Sequence, residues 1–274
     1  MDYKKLNNGL QIPQLGFGVW QVPNEEATPA VEEALKAGYR LIDTATVYGN
    51  EEGVGKALAA SNVPREDLFI TTKVWNSDQG YESTLKAFDT SLEKLGLDYV
   101  DLYLIHWPTP KYDTYVDTYK ALEKLYKDGR TKAIGVCNFD PEHLQRIMDE
   151  CEVKPTVNQV ECHPYLQQNE LKQFCKENDI LLEAYSPLMN GQTVLQDEVI
   201  GQLAEKHGKT AAQIILRWHL QTDVIVIPKT VTPSRMSENL DVFDFELSQE
   251  DMDKIASLDK NERINSIPSE MNVR

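Results

Sequence analysis

Long apolar runs are missing from this 274-residue chain. Its longest apolar strings, such as Val224-Ile225-Val226-Ile227, are strand-sized. A bilayer span needs about 20 apolar residues, so no membrane partner is expected. Cysteine is scarce, and Cys137, Cys151, Cys162 and Cys175 show no C-x-x-C spacing. A disulfide framework is therefore not expected, and free thiols fit a reducing cytoplasm. Positive charge is in the minority, with 28 Lys+Arg against 44 Asp+Glu and a net charge of −16. That balance argues against nucleic acid as a partner, while leaving room for a local basic pocket that takes one phosphate. The opening MDYKKLNNGLQIP lacks the apolar stretch of a secretory signal. There is no low-complexity stretch, linker-like composition shift or short internal repeat.

Two glycine-rich stretches also fall short of nucleotide fingerprints. Gly16-Phe17-Gly18 and Gly53-Val54-Gly55 each lack the third glycine of G-x-G-x-x-G. Gly55-Lys56 is not a P-loop, since Asn50 and Ala57 stand where glycine and Ser/Thr are required. Both stretches read as helix and turn glycines.

What is present is a globular composition, 41% hydrophobic and 26% charged, arranged as alternating strand and helix signals. Strands are expected over 14–18, 39–43, 68–73, 99–106, 131–136, 156–160, 180–185 and 224–228. Helices are expected over 30–37, 51–60, 81–95, 114–127, 142–151, 169–178 and 199–220. Asp140-Pro141 and Thr232-Pro233 are helix starts, and Asn8-Gly9 turns a short hairpin between 3–6 and 10–12. Eight strand-then-helix units, most strands apolar on both faces, predict one (β/α)8 TIM barrel domain over 1–274. An open doubly wound sheet is the structural rival.

In such a barrel the active site lies at the C-terminal ends of the strands. Leu41-Ile42 leads to Asp43, with Tyr48 in the following loop. Phe69-Ile70-Thr71-Thr72 leads to Lys73, and Leu102-Tyr103-Leu104-Ile105 to His106. Taken singly, each is a common turn, packing or surface residue. Together they place an acid, a phenol, a cation and an imidazole at one rim.

The segment from Asp43 to Glu51, with Leu102–Pro108, Ile134–Phe139 and Ile227–Thr230, resembles the aldo-keto reductase family in the same order along the chain. The compact loops are similar to those of bacterial 2,5-diketo-D-gluconate reductase-like members. The resemblance implies a barrel that reduces aldehydes or ketones, small carbonyl compounds or keto sugars, by hydride transfer from NADPH. It implies Asp43, Tyr48, Lys73 and His106 as the catalytic group, with Tyr48 as proton donor. A phenol of ordinary pKa near 10 is a poor acid at neutral pH. A cation about 4 Å away is worth roughly 4 kcal/mol at an effective dielectric of 20, so Lys73 is expected to acidify Tyr48. His106 would orient the carbonyl.

By the same resemblance, Asn138 and Gln159 hold the nicotinamide carboxamide and Tyr185 stacks on the ring. Ser186 and Leu188 follow the pyrophosphate. Lys229, Thr230, Val231, Arg235, Glu238 and Asn239 match the adenosine end. Gly18, Val19, Trp20, Asp43 and Ile227 complete the cofactor contacts. Cys137 joins them where many members have serine. Lys229 and Arg235 suit a 2′-phosphate, so NADPH is expected, with NADH bound more weakly.

Trp20, Val47, Tyr48, Trp75, His106 and Trp107 would wall the substrate pocket, while Trp218 reads as core. The 189–196 loop and the C-terminal tail are short, which predicts an open pocket of broad specificity. No metal is expected. The rivals are a metal-dependent hydrolase using His106, His163 and Asp43, and a cofactor-binding regulatory subunit. A cytoplasmic monomer or weak dimer acting on a small carbonyl substrate is the expectation.

Overall fold

The computed structural model describes residues 1–274. The chain opens with a hairpin, β1 (Tyr3–Lys5) and β2 (Gln11–Pro13). Eight parallel strands follow: β3 (Phe17–Gly18), β4 (Leu41–Asp43), β5 (Phe69–Val74), β6 (Val100–Ile105), β7 (Thr131–Cys137), β8 (Val157–Glu161), β9 (Leu181–Tyr185) and β10 (Ile225–Val226). Each pairs with its neighbour in sequence, and Leu15 bridges in parallel to Val226, bringing the first and last strands together. The closing bonds are Gly16 N–H to the Val226 carbonyl at 2.8 Å and Val226 N–H to that of Gln14 at 2.9 Å. Closure leaves no free sheet edge, so the doubly wound alternative is excluded.

The helices are α1 (Asn24–Ala37), α2 (Glu51–Ala60), α3 (Tyr81–Leu95), α4 (Tyr115–Lys127), α5 (Pro141–Glu150), α6 (Asn169–Glu177), α7 (Glu198–His207), α8 (Ala211–Gln221), α9 (Pro233–Leu240) and α10 (Gln249–Ala256). None is long and apolar enough to cross a membrane. In α3 the buried residues Thr84, Phe88, Ser91, Leu92 and Leu95 recur at three-and-four spacing and face the sheet. Burying a side chain such as Phe88 contributes about 1.5–3 kcal/mol.

Three differences from the expected elements have local causes. The helix expected over 199–220 is two helices, α7 and α8. Gly208, at φ 62°, caps the first, and the Thr210–Gln213 capping box starts the second. The helix expected over 30–37 begins earlier, at Asn24, and carries Pro29 inside it. The late helix α10 was not expected; Ser248 and Asp251 cap it reciprocally.

Inside the barrel a separate apolar cluster includes Leu41, Phe69, Leu102, Leu104, Val157 and Ile225. Leu6 and Ile12 of the hairpin belong to it. Asn7 donates to the carbonyls of Pro155 and Asp179, and Asn8 to that of Lys132, all just before or at the starts of strands. The hairpin therefore plugs the N-terminal end of the barrel. The opposite end holds a cavity of about 1440 Å3.

Candidate active site

The loop after β4 is built to hold Tyr48. Asn50 is fully buried and donates through Nδ2 to the carbonyls of Val19 and Val22, each at 2.9 Å. Its Oδ1 accepts from the Thr44 hydroxyl at 2.8 Å. Between these ties Thr46–Tyr48 forms one tight helical turn, released by Gly49 at φ 67°. Thr46 Oγ1 donates to the Lys73 carbonyl at 2.9 Å, which fixes the loop against β5.

Lys73 on β5 is fully buried, and its Nζ lies 2.6 Å from Asp43 Oδ1 and 3.4 Å from the Tyr48 hydroxyl. It also donates to the Thr44 carbonyl at 3.0 Å. Burial works against the ammonium, but Asp43 outweighs it, with Tyr48 and Cys137 adding to the effect, so the Lys73 pKa lies above the ordinary value. Tyr48 differs from the expectation. Its pKa is not depressed: burial pushes it up to about 12, although Lys73 pulls it down. Desolvation of a phenolate therefore exceeds the attraction of one ammonium shared with Asp43. The proton stays on Tyr48 at neutral pH. His106 is held well below its usual pKa by burial and then by Lys73, so its ring is neutral. Its ring meets those of Tyr48 at 5.7 Å and Trp75 at 5.2 Å, both edge to face.

Asp43, Tyr48 and His106 line the cavity, together with Trp20, Val47, Trp75 and Trp107. Lys73 does not; it lies behind the cavity wall, in contact with Asp43 and Tyr48. Two expected cofactor contacts are also set back. Val19 is fully buried in the main core, and its backbone anchors Asn50. Cys137 points into the inner apolar cluster, where burial raises its thiol pKa. Strand alternation along β7 explains the position of Cys137.

The remaining expected contacts reach the cavity. Asn138 at φ 61° and Ser186 at φ 47° leave the ends of β7 and β9 in left-handed backbone, which swings the chain towards the opening. The Tyr185 hydroxyl donates to Asn138 Oδ1 at 2.8 Å, and Asn138 Nδ2 donates to the His106 carbonyl at 3.0 Å. Gln159 Nε2 donates to Asp43 Oδ2 at 2.8 Å and to Glu183 Oε2 at 3.0 Å. Glu183 was missed by sequence reasoning. It is fully buried, and burial followed by Asp43 raises its pKa well above the carboxylate range.

Gly18, Leu188 and Ile227 lie on the cavity wall, as do Thr230, Val231, Glu238 and Asn239. Lys229 and Arg235 are exposed on the same wall, and neither is in an ion pair. The 189–196 loop adds Asn190, Gly191, Gln192 and Leu195. Ile264, Asn265, Ser266 and Met271 of the tail also line the cavity. His163 lies outside the cavity lining, fully buried, with Nε2 at 3.0 Å from Glu161 Oε1.

Comparison with known proteins identifies the family. Residues 14–260 match the Aldo/keto reductase family. The chain is 58% identical over 271 residues to glyoxal reductase of Bacillus subtilis (strain 168), covering 98% of this chain and 97% of that protein. A crystal structure of an aldo/keto reductase from Brucella melitensis superposes with a TM-score of 0.91 at 58% identity, covering 94% of this chain and 99% of that one. A mutant of Gox0644 in complex with NADPH superposes with a TM-score of 0.94 at 49% identity, covering 98% of each chain. With residues 14–260 matched to the family and a relative 58% identical over nearly the whole chain, this chain belongs to the aldo/keto reductase family.

Proposed function

We propose that this chain reduces small aldehydes and ketones, including glyoxal-type dicarbonyls, to alcohols with NADPH, and that Tyr48 supplies the proton. The single observation that carries this is the Tyr48 hydroxyl at the cavity, 3.4 Å from a fully buried Lys73 ammonium that is itself tied to Asp43. The names of the relatives, a glyoxal reductase and an NADPH-bound neighbour, favour the same substrate class and cofactor.

The residues present fit such a cofactor. At one end of the cavity lie the amides of Asn138 and Gln159 and the ring of Tyr185. At the other, Lys229 and Arg235 offer two unpaired cations beside the start of α9. A helix N-terminus and a forked guanidinium suit a phosphate, which is the basis for NADPH over NADH. The cofactor, when bound, supplies the hydride.

The protein's own groups supply the rest. As negative charge grows on the substrate oxygen, a protonated Tyr48 donates to it. The Lys73 ammonium stabilises the phenolate left behind, and Asp43 keeps that ammonium charged. Neutral His106 holds the carbonyl oxygen without competing for the proton. Trp20, Trp75 and Trp107 exclude water from one side. We place the activity in a single barrel unit in the cytoplasm, where the four free cysteines would stay reduced.

The test is the loss of NADPH absorbance with glyoxal or an aromatic aldehyde, run beside NADH. Turnover with NADPH at least about tenfold more efficient than with NADH is expected, the equivalent of 1.4 kcal/mol. Equal efficiency removes the roles of Lys229 and Arg235. No turnover despite tight NADPH binding points to the regulatory subunit instead.

A further inference from the structure

Glu161, at the end of β8, is fully buried, yet both its carboxylate oxygens accept from the C-terminal tail. The backbone N–H of Ile264 donates to Oε1 at 2.7 Å, and that of Asn265 donates to Oε2 at 3.1 Å. Nothing in the proton-transfer chemistry at Tyr48 uses this carboxylate. The two residues that it holds, with Ser266 and Met271, form one wall of the cavity.

The tail is tied at further points on either side of that wall. Before it, the N–H groups of Lys260 and Glu262 both donate to the Tyr165 carbonyl at 3.0 Å. Beyond it, Asn76 Nδ2 donates to the Val273 carbonyl at 2.7 Å, and Asn272 Oδ1 accepts from the Lys111 N–H at 3.0 Å. Arg274 stacks on Tyr112, 3.6 Å from the ring centre. The segment thus starts beside β8 and ends against the loops after β5 and β6, crossing the mouth between them. It contains no regular strand or helix after α10, so its path depends on these anchors. Burial raises the Glu161 carboxyl, but bonds from His163, Ile264 and Asn265 outweigh it and leave the pKa below the ordinary value. The anchor is therefore an ionised acceptor at neutral pH.

We infer that Glu161 is a positioning residue for substrate selection: by fixing the tail at Ile264 and Asn265 it builds the wall that holds carbonyl substrates extending beyond the reacting carbon. A charge-assisted bond from a buried carboxylate to a backbone N–H is stronger than a neutral one. Here two act on consecutive residues, which sets the direction of the chain as well as its position. A two-carbon dicarbonyl at Tyr48 and His106 does not need the wall, whereas a substrate carrying a ring does. The inference rests on carbonyl reduction at Tyr48.

The experiment compares glyoxal with phenylglyoxal, which share the reacting group and differ in the attached ring. Glu161→Gln keeps the shape but replaces one acceptor oxygen with a donor. For phenylglyoxal KM is expected to rise about tenfold with kcat within twofold, as one lost interaction of 1.4 kcal/mol gives. For glyoxal, KM and kcat stay within twofold, as does the NADPH dissociation constant. A chain ending at Met271 removes the distal ties without touching the core, and its KM for phenylglyoxal is expected to rise about threefold. Trypsin cleavage after Arg263 provides a readout independent of activity, and Glu161→Gln should speed it about tenfold. Equal KM rises for both substrates, an unchanged KM for phenylglyoxal in either variant, or unchanged cleavage would each overturn the inference. Absence of NADPH turnover in the unaltered protein would instead overturn the reductase function, with the cleavage comparison still deciding the anchor.

Discussion

Replacing Lys73 by methionine removes the one cation of the buried site while keeping a side chain of similar length. In the intact protein its Nζ lies 3.4 Å from the Tyr48 hydroxyl. At an effective dielectric of 20 that distance gives roughly 5 kcal/mol of attraction to a phenolate, or between three and four pKa decades. A proton about half transferred at the transition state realises about half of that, so kcat should fall by about 30- to 100-fold. Lys73 does not line the cavity, so the NADPH dissociation constant should change by less than about threefold. The fold should also weaken by roughly 3–5 kcal/mol, because Asp43 loses its counter-ion while buried. The assay is steady-state NADPH oxidation with glyoxal, paired with a fluorescence titration of NADPH and a urea melt. A variant whose kcat stays within threefold of the parent would refute the role of Lys73.

Other consequences follow from buried groups that do not line the cavity. Glu183 holds its proton well above the pH at which an unfolded carboxylate loses it, because burial and Asp43 oppose its charge. The native state therefore binds more protons than the unfolded one, and stability falls as pH rises from about 4.5 through the folded-state pKa. Glu183→Gln should remove that loss, making its stability advantage over the parent larger at pH 9 than at pH 5.5 by more than about 1.4 kcal/mol. Urea midpoints at the two pH values check this, and an equal difference at both would contradict it. Gly55 of α2 leaves room for the Leu95 carbonyl, only 2.5 Å from where a Cβ would sit. Gly55→Ala should cost about 1–3 kcal/mol despite alanine's better helix propensity, and a raised melting temperature would contradict this.

The rim residues were legible because the chain marks them. Asp43, Lys73 and His106 each end or follow an apolar run, and the turn chemistry of Gly49-Asn50 follows Tyr48. A polar residue there falls at the open end of the barrel whatever the details of strand register. The capping devices were equally local, yet Gly208 and Thr210 were passed over because the apolar spacing continues across them. Glu183 was not legible, since Leu181-Leu182-Glu183-Ala184-Tyr185 is a strand whether or not its charge has a partner. That partner, Gln159, lies on the neighbouring strand and is found only once β8 and β9 pair in register. The tail was least legible. Its path is set by single hydrogen bonds to Glu161, Tyr165 and Asn76, none of which leaves a period in the sequence. The direction of the Tyr48 shift was missed for a different reason: Coulomb attraction can be guessed from residue types, whereas desolvation depends on burial.

The most direct measurement is glyoxal-dependent NADPH oxidation by Tyr48→Phe, with NADPH binding followed by fluorescence on the same sample. The substitution removes only the hydroxyl that faces Lys73. Binding within about threefold of the parent, with turnover lowered by at least about 100-fold, is the predicted result for loss of the proton donor. Turnover within tenfold of the parent would contradict it and move the proton source to another group at the rim.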